Sequence, residues 1–291
     1  MFRIAYVNGR YVRSDEAAVH VEDRGYQFAD GVYEVVAVKN GALVDEAPHM
    51  ARLARSLHEM EIAWPVSERA LAHIVREVVR RNAIGDGMIY LQITRGVAPR
   101  DHAFPAHARP ALVVTAKRLA PQRPELAEKG VGVISIPDVR WRRCDIKSVS
   151  LLPNVLGKQK AKNAGAFEAW QVTESGVVTE GTSTNAWIVD RDGAIVTHPA
   201  DCAILDGITR QAVLKVARES GRKVVERPFT LDEALSAREA FLTSTTAAVL
   251  PIVTIDGRPI GNGAPGSTTL ELRERYLAEV ERQTANGGAG R

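Results

Sequence analysis

The residues Thr179-Glu180-Gly181-Thr182-Ser183-Thr184-Asn185 place one carboxylate and four short hydroxyl side chains between two predicted strands. A hairpin normally turns through a simpler sequence, so this cluster suggests a binding site at the strand ends. A carboxylate there can pair with a protonated heteroaromatic nitrogen, and hydroxyls with backbone N–H groups can hold an oxyanion. A polar strand end that binds nothing is the alternative.

A lysine upstream of this stretch is a candidate nucleophile. Lys147 ends the sequence Val139-Arg-Trp-Arg-Arg-Cys-Asp-Ile-Lys147, and its apolar neighbours Ile146 and Val149 predict a partly buried, extended segment. The arginines just before it and the apolar surroundings would disfavour the ammonium form. Schiff-base chemistry needs the neutral amine. A solvated lysine fits the same residues.

Two further stretches suit a phosphate. In Ile204-Leu-Asp-Gly-Ile-Thr-Arg210 a glycine turn opens a helix, and the free N–H groups of Ile208 and Thr209 form an anion site aided by the helix dipole. Thr209 as an ordinary N-cap is the alternative. Leu242-Thr-Ser-Thr-Thr246 carries four consecutive hydroxyls, including Ser244 and Thr245, which suit a phosphate but also occur on edge strands.

A basic loop offers a site for a carboxylate. The stretch Thr94-Arg-Gly-Val-Ala-Pro-Arg-Asp-His-Ala-Phe-Pro105 contains two arginines and His102. Because arginine binds carboxylates with two parallel hydrogen bonds, the loop is interpreted as a trap for a substrate carboxylate. A solvated basic loop is the alternative. The chain has neither a P-loop nor a Rossmann glycine fingerprint.

Composition narrows the class of protein. The 291 residues carry a net charge of only +3, with acids interspersed among the bases, so no nucleic-acid surface is expected. Two cysteines far apart predict neither a disulfide framework nor a metal site. The first residues lack a signal-peptide core, and no apolar run approaches a membrane span. We therefore expect a cytoplasmic protein.

Hydrophobic periodicity predicts an α+β protein of two domains. Residues 1–118 form a small domain, 119–130 an interdomain linker, 131–285 a larger domain and 286–291 a disordered tail. Strands are predicted at 4–7, 10–12, 31–39, 88–94, 111–116, 131–136, 167–173, 177–180, 185–190 and 194–197, and helices near 50–57, 71–79, 209–220, 230–237 and 268–283. Capping boxes are expected at Thr230…Glu233 and Thr268…Glu271.

Taken together, these stretches resemble the fold-type IV pyridoxal phosphate (PLP) enzymes, and within them the bacterial D-amino acid (D-alanine) aminotransferases. The similarity covers nearly the whole chain. It is carried by Asp30-Gly-Val-Tyr-Glu34, Arg142-Arg-Cys-Asp-Ile-Lys-Ser148, Thr179–Asn185, Gly207-Ile-Thr-Arg210 and Thr243-Ser-Thr-Thr246. The loop Pro99-Arg-x-His-x-Phe-Pro105 points to the D-amino acid branch. The resemblance implies a small α/β domain and a larger PLP-binding domain with a β-barrel-like core.

The resemblance also implies a role for each site residue. Lys147 carries PLP as a Schiff base and moves the α-proton, and Glu180 keeps the pyridine nitrogen protonated. Leu205 packs on the ring. The phosphate is bound by Arg52, by the N–H groups of Ile208 and Thr209, and by the hydroxyls of Ser244 and Thr245. The substrate carboxylate is bound by Tyr33 together with Arg100 and His102 of the partner subunit, which implies an obligatory homodimer. No metal is implied.

The implied reaction is ping-pong transfer of the amino group from D-alanine to 2-oxoglutarate, giving pyruvate and D-glutamate. A branched-chain L-amino acid aminotransferase and a 4-amino-4-deoxychorismate lyase share the fold and remain alternatives. Asp101 and Ala103 depart from the family's loop, and an acid beside Arg100 can weaken its pull on carboxylates. Thr182 and Thr184 replace common serines and keep the hydroxyls.

Overall fold

The computed structural model describes residues 3–120 and 124–285 of the chain. These residues form two compact units. The first contains the described residues of 1–120, the short segment Ile146–Ser150 and the last turn of the final helix. The second contains the remainder, up to Glu279.

Helices and strands are intermixed along the described residues. The strands are β1 Ile4–Val7, β2 Arg10–Arg13, β3 Gly31–Lys39, β4 Ala42–Leu43, β5 Gly87–Thr94, β6 Ala111–Arg118, β7 Val131–Pro137, β8 Glu168–Val172, β9 Val177–Gly181, β10 Asn185–Val189, β11 Ile195–Thr197, β12 Val224–Glu226, β13 Phe229–Thr230, β14 Glu239–Ser244, β15 Ala248–Ile255 and β16 Arg258–Pro259. The helices are α1 Arg24–Phe28, α2 Glu46–Glu59, α3 Glu68–Arg81, α4 Pro124–Lys129, α5 Leu152–Asn163, α6 Ile208–Glu219, α7 Leu231–Leu235 and α8 Ser267–Thr284.

The first unit is built on a six-stranded antiparallel sheet in the order β2-β1-β6-β5-β3-β4. The apolar faces of α2 and α3 pack on one face of it, with Leu53, Leu57, Leu71 and Val78 in the core. Strand β3 shows why the sheet has two different faces. Its alternate residues are buried, and Glu34 takes one of these core-facing positions.

The segment Ile146–Ser150 is held to the start of β3 by backbone hydrogen bonds. The N–H of Tyr33 donates to the Lys147 carbonyl (3.0 Å), and the N–H of Val149 donates to the Gly31 carbonyl (3.0 Å). Ser148 forms an isolated bridge with Val32. The extended conformation predicted around Lys147 is therefore limited to this short bridge.

The second unit contains a ring of strands. Its ten-stranded sheet follows the order β12-β11-β10-β14-β15-β7-β8-β9-β13, with β16 paired to β15 at the side. An additional pairing of β10 with β9 closes six of these strands into a cycle. The closing pair is Asn185 with Glu180. Buried apolar side chains such as Trp170, Phe229 and Leu242 form the core of this unit. The barrel-like core expected for the larger domain is confirmed.

The structure differs from the sequence prediction at several places. Helix α5 was not predicted: Leu152, Val155 and Leu156 stand at helical spacing but are exposed in the structure, and the helix buries only the small residues Gly157 and Ala161. The interval 119–130 contains the short helix α4. The capping box of Thr230 and Glu233 is confirmed.

The start of α8 differs from the prediction. The carboxylate of Glu239 accepts hydrogen bonds from the N–H groups of Thr268 (3.0 Å) and Thr269 (2.8 Å), so a distant side chain caps the helix. Glu271, expected in a capping box, pairs with Arg222 and Arg275 instead. The predicted disordered tail lies outside the described residues. In the described part of the chain, no helix combines the length and apolarity needed to cross a bilayer.

Candidate active site

In the first unit Lys147 lies beside an aromatic side chain. Its Nζ is 4.4 Å from the centre of the Tyr33 ring, which stacks on Tyr90 with 5.6 Å between ring centres. Lys147 is half-buried, and Nζ has no hydrogen-bond or ion-pair partner among residues 3–120 and 124–285. The predicted lysine and the predicted tyrosine are thus brought together.

Tyr33 lies on the face of the sheet opposite the helices. Burial, followed by the nearby Tyr33, raises the pKa of Tyr90 to about 12, so this phenol stays protonated and donates to the side-chain oxygen of Gln92 (2.6 Å). These residues form the polar and aromatic surroundings of Lys147.

On the core-facing side of β3, Arg52 is fixed by Glu34, a carboxylate for which no role was predicted from the sequence. Glu34 is completely buried, and it accepts from Arg52 Nε (2.8 Å) and Nη2 (2.7 Å) in a fork. His49 Nδ1 lies 2.7 Å from Glu34 Oε2, the oxygen that also accepts from Arg52 Nη2. The sequence signal for Glu34 was a charged residue at a core-facing position of β3, among Val32, Val36 and Val38. A charge at such a position needs a partner.

The pKa of Glu34 is set by attraction to Arg52 and His49, whereas the pKa of His49 is set by burial. Burial alone would raise the pKa of Glu34, but the charge of Arg52 and the hydrogen bonds from Arg52 and His49 lower it to about 2. Burial lowers the pKa of His49 despite the attraction of Glu34, so its imidazole is neutral at neutral pH and donates from Nδ1. The cluster therefore presents Arg52 as a fixed cation.

In the second unit Glu180 occupies the point where the strand ring closes. Its Oε2 accepts from Asn185 Nδ2 (3.0 Å) and from the N–H of Leu205 (3.1 Å). Its Oε1 accepts from Arg140 Nη1. The side chain is nearly buried, so the carboxylate is held in one orientation by two neutral donors and one cation.

Arg140 is the second functional residue that the sequence analysis missed. It belongs to the basic run Arg140–Arg143, yet its side chain is buried and bonded to Asp138 through Nε (2.9 Å) and Nη2 (2.7 Å). Its Nη2 also donates to the Thr179 hydroxyl and the Ala203 carbonyl. Burial opposes its charge, but the hydrogen bonds that it donates to Asp138 and the charge of Glu180 raise the pKa of Arg140. Its partner Glu180 lies far away in sequence, so the pairing becomes visible only after folding.

The hydroxyls after Glu180 are partly committed elsewhere. Thr182 Oγ1 and Ser183 Oγ both donate to Glu168, a fully buried carboxylate of β8. The prediction that these two hydroxyls hold an oxyanion is wrong, because a buried carboxylate takes them as donors. The hydroxyl of Thr184 is buried without a partner in the part of the chain that the structure describes.

The start of α6 keeps its N–H groups open. Gly207 is the N-cap residue, and in the described chain no side chain caps this end and no acidic residue lies in its first turn. Ile208 and Thr209 begin the helix and are buried. A Cβ on Gly207 would lie 2.0 Å from Asn185 Oδ1, so only glycine lets the helix start approach the residue that holds Glu180.

The four predicted hydroxyls at the end of β14 and in the turn that follows have separate surroundings. The buried Thr243 accepts from Trp187 Nε1 (2.9 Å), and Ser244 accepts from the N–H of Ala247 (3.1 Å). Thr245 is half-buried, and Thr246 is exposed. Only Ser244 and Thr245 were predicted to bind phosphate, and they lie where β14 ends and the next turn begins.

One buried thiol can be excluded as a nucleophile. Burial raises the pKa of Cys144 to about 12, with Arg140 opposing and Glu180 adding to the rise. The thiol is therefore protonated and donates to the Trp141 carbonyl (3.1 Å).

Arg100 and His102 are exposed on the loop between β5 and β6 of the first unit. The Arg100 guanidinium lies 4.6 Å from the centre of the Phe28 ring, and the His102 ring lies 5.3 Å from it. The structure thus places both predicted carboxylate binders on one aromatic side chain.

Known proteins share this sequence and fold. The family model for amino-transferase class IV matches residues 31–255. The chain is 46% identical to a D-alanine aminotransferase of Bacillus licheniformis over 96% of this chain and 97% of the relative. It is 41% identical to that of Staphylococcus aureus (strain MSSA476), over 95% and 97%.

Solved structures agree at lower identity. A branched-chain amino acid aminotransferase of T.th. with pyridoxamine 5'-phosphate has a TM-score of 0.88 at 28% identity, covering 96% of this chain and 94% of that one. A branched-chain aminotransferase of Thermoproteus uzoniensis with norvaline has a TM-score of 0.83 at 27% identity, covering 98% of each. The resemblance found in the sequence is confirmed, and the chain belongs to the class IV amino-transferases.

Proposed function

We propose that the protein is a PLP-dependent D-amino acid transaminase that transfers the amino group of D-alanine and similar D-amino acids to 2-oxoglutarate, giving pyruvate and D-glutamate. The observation that carries the proposal is 46% identity with a D-alanine aminotransferase over nearly the full length of both chains. This chain also has a lysine, Lys147, with an uncommitted amino group, and a buried carboxylate, Glu180, held in one orientation.

The side chains of both units fit the chemistry of PLP. Glu180 is a fixed, nearly buried acceptor suited to a protonated ring nitrogen. The uncapped start of α6 offers the N–H groups of Ile208 and Thr209 to an anion. Arg52 is a guanidinium fixed by Glu34 and suited to a phosphate.

We assign each contact with the cofactor to a group of this chain. Glu180 binds the ring nitrogen, and Leu205 packs on the ring. The phosphate is bound by Arg52, the N–H groups of Ile208 and Thr209, and the hydroxyls of Ser244 and Thr245. Tyr33 lines the substrate side, since its ring already lies against Lys147.

Bound PLP supplies an electron sink for the charge left when the amino acid loses its α-proton. Lys147 Nζ takes this proton and returns it during amino transfer, acting as general base and then as general acid. Glu180 keeps the ring nitrogen protonated, and Arg140 keeps Glu180 oriented by donating to its Oε1. The amino acid and the oxo acid use the same residues in turn, which predicts ping-pong kinetics.

The decisive experiment compares the two alanine enantiomers. Purified protein loaded with PLP is mixed with 2-oxoglutarate and either D- or L-alanine, and pyruvate is measured. We expect pyruvate from the D-isomer and almost none from the L-isomer. Lys147→Ala is the matched control: it should abolish turnover and the visible absorption of a lysine-bound cofactor. Turnover from L-alanine alone would refute the proposed stereochemistry.

A branched-chain L-aminotransferase is the second candidate, because the two solved neighbours, of T.th. and Thermoproteus uzoniensis, are branched-chain aminotransferases. Their 28% and 27% identity is well below the 46% shared with the D-alanine aminotransferase, and we therefore rank this candidate second. L-Leucine as donor in the same assay separates the two. Pyruvate released from 4-amino-4-deoxychorismate without an oxo acid would indicate the lyase.

We further propose that the enzyme is a homodimer in which Arg100 and His102 of the partner subunit bind the substrate carboxylate. Exposure of both side chains on the loop supports this assignment. We place the enzyme in the cytoplasm, since both cysteines are free thiols.

A mixed dimer tests the shared site. One chain carries Lys147→Ala and the other Arg100→Ala, and the two are refolded or coexpressed together. If the loop acts across the interface, the mixed dimer has one complete site and, at substrate concentrations well below the KM of Arg100→Ala, recovers activity that neither single variant shows. If no activity returns, the loop serves its own subunit and the proposed sharing is wrong.

A further inference from the structure

The loop between β5 and β6 consists of residues 95–110. Its two arms meet at Gly96, whose φ is +94°, and a Cβ there would lie 1.9 Å from the Arg109 carbonyl oxygen. Arg100 and His102 lie beyond this neck and are exposed. Two exposed side chains on a loop bind a carboxylate well only when the loop has a fixed conformation.

One buried guanidinium is bonded to the backbone of this loop. Arg24, the first residue of α1, donates from Nη1 to the Asp101 carbonyl (2.5 Å) and from Nη2 to the His102 carbonyl (3.3 Å). Its backbone N–H donates to the Gly96 carbonyl (2.9 Å). Arg24 therefore binds the loop at its neck and again at the residues that directly follow Arg100.

The other side of the Arg24 guanidinium is anchored in the core. Its Nε donates to Asp30 Oδ2 (2.8 Å), and both side chains are almost completely buried. Asp30 also accepts from Arg95 Nε (2.7 Å) and Nη2 (3.1 Å), and Arg95 in turn binds the carbonyls of Met60 and Glu61. The loop is thus tied to the first unit through a braced carboxylate.

The side chains of the loop rest on the same helix. Phe28, one turn after Arg24, has the Arg24 guanidinium 4.8 Å and the Arg100 guanidinium 4.6 Å from its ring centre. The His102 ring is 5.3 Å away. Arginine over an aromatic face is attracted by the ring quadrupole. Helix α1 therefore contacts both the backbone and the functional side chains of the loop.

We propose that Arg24, supported by Phe28, is a positioning residue that sets the affinity of the enzyme for the α-carboxylate of its substrates. The inference rests on the proposed role of Arg100 and His102. Arg24 touches no reacting atom. It acts by fixing the carbonyls of Asp101 and His102, and so the direction in which Arg100 and His102 project.

The test compares Arg24→Gln with the parent holoenzyme. The KM for D-alanine and for 2-oxoglutarate should rise about tenfold, the loss typical of one charge-assisted hydrogen bond, while kcat changes little. The rate at which hydroxylamine, an amine without a carboxylate, displaces Lys147 from the cofactor should be unchanged. Arg24→Lys keeps the charge but not the fork, so its KM should lie between the two.

A readout independent of activity is the amide hydrogen exchange of residues 97–109, measured with and without PLP. Exchange should be faster in Arg24→Gln in both forms, with the melting temperature of the whole protein within a few degrees of the parent. Phe28→Leu keeps an apolar contact without the aromatic face, and it should raise KM in the same direction if Arg24→Gln does not fold.

Arg100→Ala separates this inference from the proposed function. If Arg100→Ala leaves KM unchanged, the loop does not bind the carboxylate and both ideas are wrong. If Arg100→Ala raises KM but Arg24→Gln and Phe28→Leu do not, only the positioning role is wrong. In the double variant Arg24→Gln/Arg100→Ala the two effects should add only in part, because Arg24 acts through Arg100 as well as through His102; full additivity would overturn the inference.

Discussion

Each unit buries a carboxylate against an arginine, and the two clusters have opposite polarity. In the first unit the order is His49–Glu34–Arg52, with a neutral imidazole behind a carboxylate that fixes a cation. In the second unit the order is Asp138–Arg140–Glu180, with a carboxylate behind a guanidinium that fixes an anion.

The comparison shows what the middle residue of each cluster does. Glu34 gives Arg52 one orientation, and Arg140 does the same for Glu180. A buried ion pair contributes little net stability against its desolvation, so orientation of a functional group is the better reason for it here. Arg52 and Glu180 are proposed to touch the cofactor. In each cluster the middle residue, Glu34 or Arg140, and the residue behind it, His49 or Asp138, hold that side chain in place.

The largest effect is expected when the functional anion itself is removed. Glu180→Gln keeps the shape of the side chain but removes the charge that keeps the ring nitrogen protonated. We expect kcat to fall about 100- to 1000-fold, the range seen when one electrostatic group is lost from an active site. Steady-state kinetics with D-alanine measure it, and cofactor content measured by absorbance should stay close to that of the parent. Near-normal kcat would contradict the role given to Glu180.

Removing the middle residue of the second cluster should have a smaller effect on the same step. Arg140→Gln leaves Glu180 with its neutral donors Asn185 and the Leu205 N–H but without its cation. We expect kcat, measured in the same steady-state assay, to fall about tenfold, as one strong hydrogen bond is worth about that factor in rate. If kcat falls as far as in Glu180→Gln, Arg140 does more than orient the carboxylate.

The two clusters also differ in how far the sequence reveals them. Lys147 and Glu180 were predicted because each stands in a segment whose residue types suit the chemistry. Glu34 was visible in principle, as a charge at a core-facing position of β3. Arg140 was not, since Glu180 lies 40 residues further along the chain and meets it only when the strands pair.

Helices and strands, too, were predicted where the local sequence carries the signal. The strands and helices with a buried face at period 2 or 3.6 were predicted close to their observed bounds, as for β5 and α3. Helix α5, with exposed apolar residues, was not. The closure of the strand ring at Asn185 and Glu180 is a long-range pairing, and it was expected only from the family resemblance.

Breaking the first cluster should weaken cofactor binding and change how the stability of the fold depends on pH in the acid range. Glu34→Gln leaves Arg52 without its counter-charge, so the Kd for PLP should rise about tenfold, measured by titrating the apo-protein. The pKa of Glu34 is about 2 in the folded chain and 4.5 in a free side chain. Relative to its protonated form, the ionised carboxylate therefore stabilises the fold above about pH 4.5, and this difference, on the order of 3 kcal/mol, is lost as pH falls toward 2.

His49 acts in the same direction at higher pH. Because burial lowers its folded pKa below 6.5, acidification through that value favours the unfolded chain, which binds the proton more readily. Melting temperature followed from pH 7 to pH 3 should fall in the parent and fall less between about pH 4.5 and 3 in Glu34→Gln. Parallel curves for the two proteins would show that Glu34 is not the group that titrates.

The smallest effect concerns the contact between Asn185, a neutral partner of Glu180, and the start of α6. Gly207→Ala has an unstrained φ of −65°, so its only cost is the approach of the new Cβ to Asn185 Oδ1. We expect a loss of about 1–2 kcal/mol of stability, typical of overpacking, and a kcat reduced by a few-fold as Asn185 shifts away from Glu180. Gly165→Ala is a poor control because its φ is +69°, whereas Gly85→Ala meets open space and should change nothing. If Gly207→Ala lowers stability but leaves kcat unchanged, Asn185 supports the helix start and does not orient Glu180, so Arg140 and the Leu205 N–H hold the carboxylate alone.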